Sequence, residues 1–360
     1  MATAVAMPGS QELTCRLLHH RPGDEESPGG GTTVSSRTWP SRCALITAAL
    51  LQLTACTVGG HSVPAAKAAT GFPYTVTNCG VKTTYKAPPT RVVTMNQHVT
   101  EVMLELGLAK SLAGTAYLDD MVLPKYEKEY KATPVLTREY PSYEKLLAAN
   151  PDFVYGGYAT AFSAGDGRSR EALKKSGINS RLNIEYCADG KTSMDALYQE
   201  IREVGRTFGV ADRAEGWIAA AKATNAATGK DVAAVEPVSV FVYDGGDKTA
   251  STVGGAGIGN EMIIRAGGKN VFAHLSKPFA DASWENVVDR KPETIVILEY
   301  GGTTAAQKKQ RLLDDPALAD VPAVKNRRFA VLPLSDMVLG VRAPAAVETL
   351  ARQLHPELKK

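Results

Sequence analysis

Long apolar runs, dense charge of one sign and clusters of metal-binding residues are all scarce in this chain, and each scarcity removes a class of function. Across 360 residues, 41 lysines and arginines face 38 aspartates and glutamates, a net charge of +3. No dense basic stripe appears, so the sequence carries no footprint for a nucleic-acid backbone. The apolar run from Cys43 to Leu53 is eleven residues long, too short to cross a bilayer. Beyond the N-terminal segment the histidines are His61, His98, His274 and His355, with no spacing that would build a metal cluster. There is no G-x-S-x-G nucleophile elbow. The glycine run Val253–Gly259 lacks the Lys-Ser/Thr of a phosphate loop and has no clean strand immediately before it. These absences argue for a protein that is not an enzyme, with no catalytic residues, no resident cofactor and no metal site.

What is present is a globular composition, 44% hydrophobic, in a chain long enough for two domains with their own cores. Residues 1–55 read as a signal peptide with an N-terminal extension. Arg37 and Arg42 precede the short apolar run, as in a secretory signal. The run ends in Leu53-Thr54-Ala55-Cys56, which resembles a bacterial lipobox, so Cys56 is expected to carry a lipid. Residues 56–71, rich in Gly, Ala, Ser and Pro, then form a lipidated flexible tether. Cys79 and Cys187 remain as an even pair. Outside the cytoplasm such a pair permits a disulfide, the alternative being two buried free thiols.

The strongest signal is an internal repeat. Tyr143-Glu144-Lys-Leu-Leu-Ala-Ala-Asn-Pro151-Asp152-Phe-Val-Tyr155 aligns without a gap on Trp284-Glu285-Asn-Val-Val-Asp-Arg-Lys-Pro292-Glu293-Thr-Ile-Val296. Each copy reads as a helix, a proline-marked turn and a buried strand, because the residue before a proline disfavours the helical region. A second echo pairs Glu101–Gly107 with Glu261–Gly267, each a short helix closed by glycine. Strand candidates Arg91–Met95 and Val238–Tyr243 precede them. Between the copies, residues 193–224 predict one long or broken helix, with Asp195 and Asp212 as candidate caps. The chain therefore predicts two α/β lobes, residues 72–190 and 226–360, joined by a helical linker over 191–225.

These features together resemble the helix-linked class of periplasmic-type binding proteins that serve siderophore, haem and cobalamin importers. The likeness is carried by Arg91-Val-Val-Thr-Met-Asn-Gln-His-Val-Thr-Glu101 with Leu106-Gly107, by Leu146-Leu-Ala-Ala-Asn-Pro-Asp152, and by Gly254 to Ala273 with Ala266-Gly-Gly-Lys-Asn-Val271. It spans roughly residues 75–358 and implies two Rossmann-like lobes joined by a long interlobe helix, with a ligand cleft between them. Phe72–Gly80 is similar to a β-hairpin arm of Gram-positive relatives. The resemblance implies a monomeric lipoprotein held by its anchor on the outer face of the membrane of a Gram-positive cell, working with an ABC permease dimer and its ATPase. The expected ligand is a small-molecule chelate, an Fe(III)-siderophore, with haem or cobalamin, or capture without a transporter, as alternatives.

The resemblance also implies sites. Glu144 and Glu285 occupy matched positions and are expected to dock on permease arginines, with Glu101 and Glu261 as a competing pair suited to capping or packing. Open α/β sheets bind ligands in loops at the carboxyl ends of strands. That rule nominates Asn96, Gln97, His98, Tyr117 and Tyr158 in lobe one, with Arg138 and Tyr140 before the Glu144 helix. In lobe two it nominates Thr252, Trp284, Tyr300 and Arg342.

Overall fold

The computed structural model describes residues 69–187 and 192–358. The expected signal peptide and the lipidation site Cys56 lie outside the described residues. The described chain opens on a hairpin of β1 (Tyr74–Asn78) and β2 (Val81–Tyr85). Its two-residue turn places Cys79 and Gly80 at positive φ, the turn geometry whose twist suits paired strands. The buried Asn78 side chain donates to the Leu182 carbonyl and accepts from the Leu182 N–H at 2.8 and 2.9 Å. A disulfide between Cys79 and Cys187, with Cα atoms 4.8 Å apart, closes the same junction.

Lobe one is a parallel sheet of β3 (Val92–Met95), β4 (Leu112–Ala116), β5 (Val135–Thr137), β6 (Phe153–Gly156) and β7 (Asn179–Leu182), in the order β5-β4-β3-β6-β7. Helices α1 (Gln97–Glu105), α2 (Glu127–Lys131), α3 (Tyr143–Ala148) and α4 (Arg170–Lys175) return the chain between strands. Two helices follow, α5 (Met194–Thr207) and α6 (Ala211–Asp231). Lobe two continues with β8 (Val238–Tyr243), β9 (Ala250–Val253), α7 (Ile258–Arg265), β10 (Gly268–Asn270), β11 (Phe279–Ala282), α8 (Trp284–Arg290) and β12 (Thr294–Glu299). It ends with α9 (Ala305–Asp314), α10 (Pro322–Lys325), β13 (Phe329–Pro333) and α11 (Ala343–Leu354). Here the parallel order is β10-β8-β12-β13, and β9 and β11 form a separate antiparallel ribbon.

The strands are apolar on both faces because helices cover both faces. Val92, Phe153, Tyr155, Val240 and Val242 turn to a core that also takes Ile201 of α5, Ile218 of α6 and Leu350 of α11, and so runs through both lobes. The alternate residues Val93, Met95 and Val154 fill a second cluster on the other face of lobe one. Phe241, Tyr243, Ile295 and Ile297 do the same in lobe two. Each fully buried aliphatic side chain of this kind contributes about 1.5–3 kcal/mol.

The repeat has a physical basis at each position. Ser142 and Ser283 cap α3 and α8, each accepting an N–H three residues on at 3.2 Å. Asn150 and Lys291, the residues before the prolines, leave the helix in the left-handed region, both at φ 47°. The acid after each proline ties down the first strand of its lobe. Asp152 accepts from the Thr90 and Arg91 N–H groups at 2.7 and 2.9 Å, and Glu293 accepts from the Ser239 N–H at 2.8 Å.

The predicted linker is broken rather than continuous: Gly209, at φ 68°, separates α5 from α6. Ser193, not Asp195, caps α5, because its hydroxyl accepts the Ala196 N–H. Asp212 lies in the first turn of α6, whose N-cap is Val210. On the lobe-one side, buried Arg181 of β7 pairs with Glu200 of α5, and Tyr155 donates to the same carboxylate.

Candidate functional site

In each lobe the first strand (β3 or β8) lies between the second (β4 or β10) and the third (β6 or β12). Chain direction across the sheet therefore reverses beside the first strand, and the crevice at its carboxyl end is where open α/β sheets hold ligands. In lobe one that crevice is filled. Asn96 leaves β3 at φ 95°. Its side-chain oxygen accepts from the Gly157 N–H at 3.2 Å, the Tyr158 N–H at 3.3 Å and the Tyr140 hydroxyl at 3.1 Å. His98 lies beneath, buried, its ring 5.0 Å from that of Tyr158. A Cβ on Gly157 would approach the His98 ring to 2.4 Å, so this position tolerates no side chain. Burial lowers the His98 pKa to about 4, and the ring is neutral at physiological pH.

Above this floor lies an aromatic wall. Tyr158 packs edge-on to Tyr186 at 5.2 Å, and Tyr117 lies 4.6 Å from Tyr140. Buried Arg168 sits over the Tyr140 ring at 5.4 Å. Asp119 stands among these rings, and burial pushes its carboxyl up to about 7, with Asp120 adding to the shift.

The two lobes are stitched by two buried carboxylates. Glu101 of α1 receives Arg342 Nε and Nη2 at 2.7 and 2.6 Å, and its Oε1 also accepts the Leu123 N–H. Burial works against the Arg342 charge, but Glu101, Asp120 and Asp336 outweigh it and raise the guanidinium pKa. Glu185, which follows β7, accepts the N–H of Ile258 at the start of α7 at 2.8 Å and that of Leu339 at 2.9 Å. Burial raises its carboxyl to about 7, against the pull of those two donors. The glycine run before α7 does follow a strand, β9, contrary to expectation. The helix start is nonetheless occupied, since Glu185 takes the place an anion would fill.

In lobe two the crevice is open. A depression of about 400 Å³ lies between the ends of β8 and β12, lined by Asp244, Asp247, Tyr300, Gln307, Lys308 and Arg311 among others. Tyr300 faces across the cleft. Its hydroxyl pKa is raised by burial first and then by Asp244, with Asp119 and Tyr117 of lobe one adding to the effect.

The candidates thus divide. Tyr117, Tyr140, Tyr158 and Tyr300 gather at the facing ends of the two sheets, while Asn96 and His98, 0% and 2% exposed, are buried in the floor rather than presented to a ligand. Arg138 is exposed just past the end of β5. Four others are engaged with the protein itself. Gln97 is buried and holds the next loop, accepting the Asp120 N–H at 2.8 Å and donating to the Met121 carbonyl at 3.0 Å. Thr252 is fully buried in the β9 ribbon, out of reach of a ligand. Trp284 donates to the Asp247 carbonyl at 2.8 Å and carries Arg311 on its face at 4.6 Å, buttressing the depression from behind. Arg342 is consumed by its three carboxylates. Tyr186, Asp119, Glu185 and Arg168 were not nominated from sequence, because their neighbours are brought together only by chain segments far apart. Among the described residues no three His, Cys, Asp or Glu side chains converge on a metal position.

The architecture and the sequence agree on a family. Residues 92–335 match the family described as periplasmic binding protein. The chain belongs to that family. Within it, this binding protein is of the helical-backbone class III type, related to iron-siderophore-, haem- and cobalamin-binding components of ABC transporters. It is 26% identical over 237 residues to a vitamin B12-binding protein of Vibrio campbellii, covering 65% of this chain and 79% of that one. It is also 26% identical over 296 residues to YvrC, an ABC transporter substrate-binding lipoprotein of Bacillus subtilis, covering 80% and 88%. A periplasmic binding protein from Veillonella parvula superposes with a TM-score of 0.73 at 30% identity, covering 79% of this chain and 97% of that one. An ABC-type Fe3+-hydroxamate transport protein from Saccharomonospora viridis gives 0.67 at 25% identity, covering 78% and 99%. The protein is accordingly a non-catalytic, extracytoplasmic solute-binding component of the ABC-importer type. Membership implies a small-molecule cargo and an ABC permease with its ATPase as partners.

Proposed function

We propose that the protein captures a ferric siderophore of low net charge, of the hydroxamate type, and delivers it to a membrane permease. The observation that carries this reading is the pairing of a tyrosine-rich cleft with a floor cation already neutralised: Arg342 is held by Glu101 at 2.6 Å. An aromatic wall offers flat apolar area and hydroxyls to a bulky chelate. A trianionic catecholate would need several free cations, whereas Arg342 is held by Glu101, Arg311 by Asp247 and Lys308 by backbone carbonyls. A corrinoid is the second reading, favoured by the vitamin B12-binding relatives.

Delivery needs a surface that reports both lobes. Glu144 and Glu285 stand exposed at the second position of α3 and α8, behind matching serine caps. Their own backbone N–H groups and the cap hydroxyls lower both carboxyl pKa values, so both are ionised at neutral pH. In this reading they dock on permease arginines, where such charges set orientation and encounter rate more than affinity. A lipid on Cys56 holds the monomer on the outer face of the membrane of a Gram-positive cell, with residues 56–71 as tether.

Calorimetric titration of the purified chain with a ferric trihydroxamate, a ferric tris-catecholate, haem and cyanocobalamin tests the cargo. One-to-one binding of the trihydroxamate tighter than about 1 μM, roughly −8 kcal/mol, with the catecholate at least tenfold weaker, is the expected result. Preference for the catecholate or haem would overturn the charge argument, and preference for cyanocobalamin would replace the cargo by the second reading.

A further inference from the structure

Most charged groups lining the lobe-two depression are paired within the protein. Arg311 pairs with Asp247 at 3.0 Å, with its Nη1 left without a hydrogen-bond partner among the described residues. The buried Lys308 ammonium donates to the carbonyls of Leu298, at 2.7 Å, and Asp244, and lies over the Tyr300 ring at 4.4 Å. Asp244 accepts the Ser251 hydroxyl with one carboxylate oxygen at 2.9 Å, and the carboxylate also lies beside the Tyr300 hydroxyl, whose pKa it raises. Gln307 is held in a fixed pose, because its side-chain oxygen accepts from the Thr304 N–H at 2.9 Å and the Thr304 hydroxyl at 3.1 Å in a capping box. That pose spends its acceptor and leaves its amide N–H groups without an acceptor among the described residues.

Resting on the reading of the protein as a carrier of a metal chelate, we propose that this depression is the subsite for an uncharged amide-type arm of that chelate. Gln307 donates to the arm's carbonyl, and Asp244 turns away arms that carry negative charge. The volume of about 400 Å³ suits a side arm of a large chelate. A preset donor such as Gln307 loses little entropy on binding. A carboxylate arm would sit beside the half-buried Asp244, and discrimination by a repulsive group is as effective as an added attraction. Peripheral carboxamides and the amide carbonyls that link the chelating groups of a trihydroxamate share the required chemistry, an uncharged carbonyl acceptor that the metal leaves free.

Two matched probe pairs test this on the full chain. One is cyanocobalamin against its monoacid, in which a peripheral carboxamide is a carboxylate. The other is a ferric trihydroxamate against a ferric chelate of the same size bearing a carboxylate on one arm. The pair that binds identifies the source of the arm. In that pair the uncharged member should bind at least tenfold tighter, equivalent to about 1.4 kcal/mol. Asp244→Asn should close most of that gap by tightening the acid. Gln307→Glu, which keeps the oxygen that caps α9, should weaken the uncharged member about tenfold, with thermal unfolding confirming that each variant is folded. Equal affinities for amide and acid, or a ratio unmoved by both substitutions, would overturn the subsite and leave the carrier reading standing. Failure of all four probes to bind would overturn both.

Discussion

Glu101→Gln removes the charge of one interlobe carboxylate and keeps its shape. In the native protein Glu101 meets Arg342 through two hydrogen bonds of 2.6 and 2.7 Å, with side-chain exposures of 1% and 6%. Glutamine retains an acceptor for the Leu123 N–H but leaves the guanidinium with Asp336 at 3.3 Å and Asp120 at 3.8 Å. Breaking a buried ion pair from one side costs about 3–5 kcal/mol, because the remaining charge stays desolvated. The two nearby carboxylates place the expectation at the low end, about 3 kcal/mol. One apolar core runs through both lobes, so a single cooperative transition is expected. At about 2–4 °C per kcal/mol for a chain of this size, Tm should fall by about 6–12 °C. Urea and thermal unfolding at pH 7 measure both quantities. The reciprocal Arg342→Met should cost at least as much, since it leaves Glu101, Asp336 and Asp120 without their shared cation. A loss below about 1 kcal/mol in either variant would refute the assignment of this pair as the electrostatic tie between the lobes.

Glu185 adds a pH dependence of defined sign. Its folded pKa of about 7 lies above the ordinary value of 4.5, so the native state holds the proton more tightly than the unfolded chain. Its contribution is therefore fully present below about pH 4.5 and lost as pH rises through about 7, on the order of 3 kcal/mol in all. Glu185→Gln should flatten the stability profile across that window, and unfolding from pH 5 to 8 that keeps the native slope would contradict the cause given. Glu144→Ala with Glu285→Ala should leave ligand affinity within about twofold while abolishing uptake by cells carrying the cognate permease; weakened binding in calorimetry would move these residues into the cleft instead. Cys79→Ser opens a loop of 108 residues and should cost about 2–4 kcal/mol by chemical denaturation, with no effect if the hairpin is held by Asn78 alone. Ile201→Ala, at a fully buried position of α5, should cost about 2–5 kcal/mol, and a smaller loss by the same assay would indicate that the shared core is loosely packed there.

Much of the architecture was legible from local pattern. The repeat around Pro151 and Pro292 located α3, α8, β6 and β12, because proline geometry and apolar runs act over a few residues. The strands β3 and β8 and the glycine-closed helices α1 and α7 followed from the same short-range rules. Residue type at loop positions was a poorer guide to the cleft. Arg342 and Gln97 carry the right chemistry at the right place in the chain, yet each is spent inside the protein. Trp284 likewise faces the back of the depression and not its opening. Asp119, Tyr186 and Glu185 gave no local signal, since what makes them distinctive is who stands opposite.

The sequence by itself determined the duplicated α/β lobes, a helical connection between them and the matched positions of Glu144 and Glu285, all of which depend on periodicity, capping and turn chemistry within a dozen or so residues. Tertiary structure alone decided which polar groups remain available to a ligand. Glu101 and Arg342 are 241 residues apart in the chain, and whether an arginine greets a ligand or a buried glutamate depends on that long-range contact. A charged group's chemistry is set by the partners and water it is left with after folding, and no local pattern encodes them.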